Sequence, residues 1–356
     1  MKMFGELLPR DVPIREEVVN RSRRTDIVGC LSAGFAVVRT ACGPFEWITF
    51  AYLAWLDFLV LFFHQSVPNP TQHLAIQCAV GVGVAALVYL ARMSRNGAIH
   101  FARHWYPLPL YVFFFEELRS FVHAIFSNWF DAYLIAFDHG LFGVHPSVWF
   151  AQFSTPALND FMQFSYMTYF LYLVALPALL YVNREYAAFW IVMASTALAH
   201  YSVYVVAALF PIESPFYSLA SMNRTALTGG SCTALIDLIE HFGRVHGAAF
   251  PSAHVAGSMV AILASWRYRR WLFWLCLPFF VSMCVATVYG RYHYAADVFA
   301  GLILGAIAFR MGLRLKWTET FVRSEYLFLA PQISEGSEVR DEEDESVLTL
   351  IADRAE

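Results

Sequence analysis

Long apolar stretches, separated by short polar connections, run through most of the chain. Each stretch is close to the roughly 20 residues that an α-helix needs to cross a bilayer. Their apolarity is uniform, whereas the helices of a large soluble core would show an amphipathic period. The pattern therefore predicts an all-α fold, a polytopic bundle of membrane helices, with apolar spans at residues 45–63, 74–91, 105–126, 161–182, 187–210, 252–266, 271–289 and 294–313.

The third span, residues 105–126, is the weakest of the eight because it contains Glu116, Glu117 and Arg119. A charged side chain inside a membrane is costly and usually faces a bundle interior or a cavity. A pair between Glu116 and Arg119 on one helix face is the simpler explanation of these charges, and it ranks ahead of a catalytic role.

Composition agrees with a membrane protein and disfavours other classes. Of the 356 residues, 58% are hydrophobic and only 15% are charged, against roughly a quarter charged in soluble domains. The net charge of −4 owes much to an acidic run in the tail, and nothing in the sequence favours binding to nucleic acid. Six scattered cysteines lack the spacing of a metal site, so we expect no disulfide framework, metal or cofactor.

Arginines recur at alternate connections between the spans, and positive charge marks the cytoplasmic side of a membrane protein. This distribution predicts cytoplasmic termini and a cytoplasmic turn at residues 267–270. The predicted organisation is a cytoplasmic N-terminal arm (1–44), two extra transmembrane helices (45–104), a six-helix core (105–315) and a largely disordered, acidic cytoplasmic tail (316–356).

The opposite, extracytoplasmic side then holds segments 127–160, 211–250 and 290–293. Within the first of them, residues 131–146 mix acidic residues and histidines with aromatic ones. We expect an interfacial helix and turn there that anchor the protein at the membrane surface.

Two short polar segments interrupt the apolar second half of the chain. The first is Phe250-Pro251-Ser252-Ala253-His254, and the second is Gly290-Arg291-Tyr292-His293-Tyr294-Ala295-Ala296-Asp297. The hydrophobic hairpin between them returns to the side on which it began. The two segments are therefore expected to meet at one depth, on the extracytoplasmic side.

The second segment carries the residues of a nucleophilic site. If a helix starts near Tyr292, His293 and Asp297 lie one turn apart on one face. A carboxylate beside a histidine fixes its tautomer and stabilises the imidazolium, which leaves the other ring nitrogen free to attack phosphorus. Arg291 offers a planar fork of donors for phosphate oxygens.

The first segment carries an acid and an anion site. Pro251 suits the first position of a helix, whose N-terminal amides, together with Ser252, would bind an anion. His254 lies near the mouth and would protonate a departing alkoxide as a general acid. Each feature also has an ordinary interpretation: a structural histidine, a Pro-Ser helix cap, or a histidine metal site, for which His241 and His246 supply no good third ligand. The conjunction of both segments favours catalysis.

These residues resemble the motifs of the type 2 phosphatidic acid phosphatase superfamily. The run from Pro251 to His254 is similar to its Pro-Ser-x-His motif, and Arg291, His293 and Asp297 are similar to its third motif. The resemblance implies that His293 is a nucleophile that passes through a phosphohistidine, that Asp297 orients it and that His254 protonates the leaving group. It further implies that Ser252 and Arg291 bind phosphate. The resemblance covers roughly residues 105–313 as a six-helix core and leaves the first two spans outside.

Two departures from the family pattern indicate one branch. The Lys-x6-Arg-Pro motif of the common phosphatases is absent, and one residue rather than five separates Arg291 from His293. Residues 210–217 and 247–251 resemble the branch that includes fungal inositol phosphorylceramide synthase. Arg224 and Arg244, in the same outer loop, are candidates for the missing basic contact with phosphate, although arginines in such loops are usually solvated.

The leading hypothesis is an integral membrane lipid phosphatase or phosphotransferase that acts on a lipid phosphate or phosphodiester at the extracytoplasmic face. The branch resemblance favours inositolphosphotransferase-like transfer to an alcohol such as inositol. The alternatives are a simple lipid phosphate phosphohydrolase and a non-enzymatic transporter or scaffold with a degenerate site. A vanadate-dependent haloperoxidase, whose site is similar, is disfavoured because those enzymes are soluble. The expected partners are a lipid phosphate or phospholipid substrate, an alcohol acceptor and the bilayer.

Overall fold

A computed structural model of the chain describes residues 41–223 and 225–315, apart from the side chain of Phe242. Most of the predicted arm 1–44, the predicted tail 316–356 and Arg224 lie outside these residues. The described part forms thirteen helices: α1 Pro44–Phe62, α2 Pro70–Met93, α3 Gly97–Trp105, α4 Pro107–Leu118, α5 Asp131–Phe142, α6 Pro146–Ala151, α7 Pro156–Val182, α8 Tyr186–Leu209, α9 Pro215–Ser218, α10 Ser231–Gly243, α11 Ala253–Tyr268, α12 Arg270–Tyr289 and α13 Ala295–Arg314.

Six of the described helices, α1, α2, α7, α8, α12 and α13, are long and apolar enough to cross a membrane. The prediction of an all-α, polytopic membrane bundle is confirmed, and the chain is an integral multi-pass membrane protein. The predicted span at residues 252–266 corresponds to α11, which has 16 residues and is therefore about 24 Å long.

The predicted continuous span at residues 105–126 is divided in the structure. Helix α3 ends at Trp105, α4 begins at Pro107, and turns replace the helix after Leu118. Proline lacks an N–H and clashes with the turn before it, so it is tolerated at the start of a helix and breaks one in the middle. The 12 residues of α4 extend over only about 18 Å.

Helices α3 and α4 nevertheless run together along α8. At the N-terminus of α8, the ring of His104 lies 5.4 Å from the ring of Tyr186. Further along, the Tyr111 hydroxyl donates to the Met193 carbonyl at 2.9 Å, and the Tyr204 hydroxyl donates to the Tyr111 carbonyl at 2.9 Å. The end of α3 and helix α4 therefore pack against α8 over the stretch from Tyr186 to Tyr204.

Glycines set the depth at which α13 packs against α11. A side chain added at Gly301 would lie 2.8 Å from the Ser252 carbonyl oxygen, and one added at Gly305 would lie 2.4 Å from the Ala256 carbonyl oxygen. Only glycine permits such an approach, as at other contacts between membrane helices. The starts of α11 and α13 are thereby held side by side, at the same end of the bundle.

A buried ion pair attaches α1 to the core at the opposite end. The Arg103 guanidinium lies 3.2 Å from the Glu46 carboxylate, and the two side chains are 3% and 0% exposed. The same guanidinium lies over the ring of Trp190 in α8, 5.3 Å from its centre. Because removing one partner of a buried pair typically costs about 3–5 kcal/mol, this contact fixes the register of α1 against α3 and α8.

Candidate active site

The two polar segments form the adjoining starts of α11 and α13. Ser252 is the N-cap of α11, where its hydroxyl oxygen accepts the Val255 N–H at 3.3 Å. Its own N–H donates to the Asp297 carbonyl at 3.2 Å, which links the first segment to the first turn of α13. The predicted meeting of the two segments is thus observed as a direct backbone contact.

His293 is held through one ring nitrogen. Its Nδ1 lies 2.7 Å from the Ala249 carbonyl oxygen and 3.4 Å from the Asp297 carboxylate. A carbonyl can only accept, so Nδ1 carries the proton, and in the neutral ring the lone pair lies on Nε2. Asp297 is completely buried and also accepts the Tyr294 N–H at 2.7 Å. The ring therefore has the tautomer that a nucleophile needs.

The carbonyl that orients His293 is itself fixed by a short backbone bridge. The Ala249 N–H donates to the Ile212 carbonyl, and the Ile212 N–H donates to the Gly247 carbonyl, both at 3.2 Å. The proline-rich segment after α8 and the segment before Pro251 are thereby paired. The sequence analysis treated them as separate features of a family branch, but their pairing supplies the hydrogen-bond partner of His293.

His254 faces His293 from the first turn of α11. The centres of the two rings are 6.0 Å apart. A hydrogen bond of 2.9 Å joins His254 Nε2 to the Tyr166 hydroxyl of α7, and the Tyr166 ring in turn stacks on Tyr292 at 4.5 Å. The two predicted catalytic histidines therefore lie on adjacent helix starts, with their rings facing each other.

Both histidines line a cavity of about 280 Å³. Most of its wall is apolar, with Val112 and Phe115 of α4 on one side and Phe170 and Leu173 of α7 on another. The polar residues of the wall, besides the two histidines, come from several segments: Tyr111, Glu116, Tyr166, Tyr169, Tyr204, Glu213, Ser214, Glu240, Arg244 and Tyr292.

Among the described residues, Arg244 is the only lysine or arginine that lines this cavity. Its Nε donates to Glu240 at 2.7 Å, and its guanidinium lies 4.1 Å from the centre of the Phe216 ring. Burial alone would lower the pKa of Arg244, but the Glu240 carboxylate raises it above its ordinary value. The cavity thus contains a permanent cation, at a residue that the sequence analysis ranked low.

Arg291 points elsewhere. Its guanidinium Nη2 donates to the Thr225 carbonyl at 2.6 Å, its Nε has no partner among the described residues, and it does not line the cavity. The side chain is buried, which lowers the pKa of the guanidinium, and its φ of +65° lies in the left-handed region. Ser252 is also fully buried outside the cavity wall, and Arg224 lies outside the described residues.

A model of the PAP2 superfamily matches residues 132–311. The chain belongs to the PAP2 superfamily. The match covers half of the chain, from α5 to α13, and includes both polar segments. No curated protein and no solved structure matches the chain. Membership in the PAP2 superfamily places the chain among phosphatase-type and phosphotransferase-type lipid enzymes.

Two aspartates of α5 hold the start of α13 and the proline-rich segment after α8 in place. Asp138 accepts the N–H groups of Ala295 and Ala296 at 2.9 and 3.0 Å, which caps α13. Asp131 accepts the Tyr294 hydroxyl at 2.7 Å and the Glu213 N–H at 2.9 Å. From the sequence, this helix was interpreted as a membrane anchor, with contact to the substrate as the less simple alternative. Their spacing, two turns apart on one helix face, was the available signal.

We expect Asp138→Ala to lower the free energy of unfolding by about 2–4 kcal/mol, because it leaves two buried N–H groups of α13 without an acceptor. Chemical unfolding of the purified protein in detergent measures the loss. A matched control is Asn96→Ala, which removes the exposed N-cap of α3 and should cost no more than about 1 kcal/mol. Equal losses in the two variants would show that Asp138 has no special role in holding α13.

Among the described residues, no three His, Cys, Asp or Glu side chains are grouped so that they could hold a metal ion.

Proposed function

We propose that this protein is a lipid phosphotransferase or phosphatase that works through a phosphohistidine at His293. The observation that supports this most directly is the hydrogen bond from His293 Nδ1 to the Ala249 carbonyl. It leaves the Nε2 lone pair available on a ring that lines the cavity, opposite a second histidine. Histidine with this tautomer is a competent covalent nucleophile.

The proposed reaction has two steps, formation and breakdown of the phosphohistidine. In the first, His293 Nε2 forms a bond to phosphorus, the bond from phosphorus to the leaving oxygen breaks, and protonated His254 gives its proton to that oxygen. Asp297 stabilises the positive charge that His293 acquires. In the second, neutral His254 takes a proton from water or an alcohol, whose oxygen attacks phosphorus as the P–N bond breaks. The enzyme returns to its initial state.

Arg244 is the proposed phosphate-binding cation. It lies in the wall of the cavity that the two histidines share, and a guanidinium binds phosphate oxygens in a planar, often bidentate, geometry. Its partner Glu240 comes from the same helix end and would have to share it with the substrate. In this proposal Ser252 caps α11 beside the site. Arg291 holds the loop at Thr225 through its hydrogen bond to that carbonyl.

The substrate is proposed to be a lipid because much of the cavity wall is apolar. Val112 and Phe170 line the cavity and are 59% and 45% exposed on the outer surface of the bundle. An apolar chain would extend between α4 and α7 into the bilayer while its phosphate remained at the histidines. A soluble phosphate ester would gain nothing from this surface.

We further propose that the site faces the extracytoplasmic side. Arg184 joins α7 to α8 and residues 267–270 join α11 to α12, at the end of the bundle opposite to the site. Positive charge at that end favours a cytoplasmic location for it and for both termini. The boundaries proposed for the arm, the two extra helices, the core and the tail remain those given by the sequence.

The acceptor is proposed to be an alcohol such as inositol, with simple hydrolysis as the alternative. The preference rests on the resemblance of residues 210–217 and 247–251 to the inositol phosphorylceramide synthase branch. These two segments pair with each other beside His293 through Ile212 and Ala248, which gives the resemblance a location at the active site.

The test uses purified protein in lipid micelles with 32P-labelled lipid phosphates and labelled phosphatidylinositol, with and without added alcohols that include inositol. Transfer predicts label on the alcohol or on an alcohol-bearing acceptor lipid. Free labelled phosphate alone would establish the phosphatase alternative. Absence of turnover on the whole panel would contradict the proposed function.

A further inference from the structure

Two tyrosines of α7, one turn apart, each form a hydrogen bond with a different histidine. The Tyr166 hydroxyl lies 2.9 Å from Nε2 of His254, and the Tyr169 hydroxyl lies 2.8 Å from Nε2 of His200. Both tyrosines line the cavity. The two pairs look alike, but the second nitrogen of each histidine has a different environment.

His200 forms hydrogen bonds through both of its ring nitrogens. Its Nδ1 lies 2.8 Å from the Thr196 carbonyl, so Nδ1 carries the proton and Nε2 accepts from Tyr169. The ring also stacks on Tyr111 with centres 4.9 Å apart. Both nitrogens of His200 are therefore engaged, and neither is available for proton transfer.

His254 is engaged on one side only. Among the described residues, its one hydrogen bond is the contact between Nε2 and Tyr166, and Nδ1 has no partner. The side chain lines the cavity together with His293. Tyr166 is itself fixed, because its ring lies 4.6 Å from the His254 ring and stacks on Tyr292. The hydroxyl therefore has little freedom to leave Nε2.

We propose that Tyr166 is a positioning residue that makes Nδ1 of His254 the proton-exchanging atom of the site. The Tyr166 oxygen accepts the Nε2–H of His254, so Nε2 keeps its proton throughout the reaction. In the first step Nδ1–H goes to the leaving oxygen and the ring becomes neutral. In the second step the Nδ1 lone pair takes the proton of the attacking water or alcohol. This proposal rests on the proposed function and assigns one atom within it.

The different partners of the two active-site histidines support this division of labour. Asp297, a carboxylate, stabilises the positive charge that His293 retains while it is phosphorylated. Tyr166, a neutral phenol, orients His254 without holding its charge. A histidine that must both release and recover a proton within one cycle is better served by the neutral partner.

The test compares Tyr166→Phe with the matched variant Tyr169→Phe. Each variant loses one hydroxyl from the same wall of the cavity. The substrates are an alkyl phosphate and a nitrophenyl phosphate that bears the same alkyl chain, because a nitrophenolate leaves without needing a proton. Tyr166→Phe should lower kcat/KM, which reports formation of the phosphohistidine and not its breakdown, by roughly 10- to 100-fold for the alkyl phosphate, as expected for a lost hydrogen bond to a charged group. For the nitrophenyl phosphate, the loss should be less than about threefold.

Tyr169→Phe should change the rates for the two substrates by the same factor. In a His254→Ala background, Tyr166→Phe should cause no further loss, because its effect passes through His254. Equal losses of Tyr166→Phe on both substrates, or additive losses in the double variant, would overturn the proposal. If instead the wild type processes neither substrate, or His293→Ala remains active, the proposed function itself has failed and this assignment fails with it.

Discussion

Protein carrying His293→Ala should lose at least about 10³-fold in lipid-phosphate turnover, because removal of a covalent nucleophile leaves only binding and electrostatic stabilisation. Ala249, Asp297 and Tyr294 act together to present this side chain. The measurement is the release of labelled phosphate, or its transfer, under single-turnover conditions.

The same experiment can trap the intermediate. Brief incubation of wild-type protein with a 32P-labelled lipid phosphate should leave label on the protein that is stable to base and lost in acid, as expected for a phosphorylated histidine. His293→Ala should carry none. A useful control is His246→Ala, since this half-exposed histidine lies 2.9 Å from the Glu213 carboxylate and does not itself line the cavity. Label that persists in His293→Ala would place the nucleophile elsewhere.

The local part of this site could be predicted from the sequence. His293 and Asp297 are four positions apart and were expected on one face of a helix that starts near Tyr292; the structure begins α13 at Ala295, so His293 precedes the helix, yet its ring lies 3.4 Å from the carboxylate. Ser252 before Ala253 is likewise a local capping pattern. Geometry that depends only on residues within one helical turn follows from the chain itself.

The remaining part depends on contacts between distant segments. The hydrogen bond between His293 and Ala249 spans 44 positions, and that between Asp138 and Ala295 spans 157. No local pattern connects such residues, so the acceptor of His293 and the cap of α13 were not predicted. Arg291 was favoured over Arg244 because it is next to His293 in sequence, whereas Arg244 approaches the cavity from another segment.

In the fold, too, local properties could be predicted and contacts between distant segments could not. Uniform apolarity identified the long helices α7, α8, α12 and α13, because hydrophobic length is a property of composition alone. The same criterion extended one span over residues 105–126, whereas α4 ends at Leu118 and turns follow it. The combined passage of α3 and α4 along α8 depends on tyrosine hydrogen bonds such as that of Tyr111 to Met193, which hydropathy cannot reveal.

Arg244→Met should lower kcat/KM by roughly 10²–10³-fold, the typical cost of removing one preorganised charge that faces a developing anion. Methionine keeps much of the length of the side chain and its packing against Phe216, so the lost charge is the main change. Arg244→Lys should recover part of the activity, because lysine keeps the charge but not the planar fork. Initial rates on a lipid phosphate, over a range of substrate concentrations, provide the measurement.

Arg291→Met is the informative comparison because the family motif and the geometry disagree about this residue. Arg291 is buried, donates to the Thr225 carbonyl and does not line the cavity, so its loss should chiefly reduce thermal stability. The kcat/KM of the folded fraction should fall by less than about tenfold, since no phosphate contact is removed. If Arg291→Met instead caused the larger catalytic loss and Arg244→Met the smaller, phosphate would bind beside Arg291, and the cavity that contains Arg244 would serve another part of the substrate.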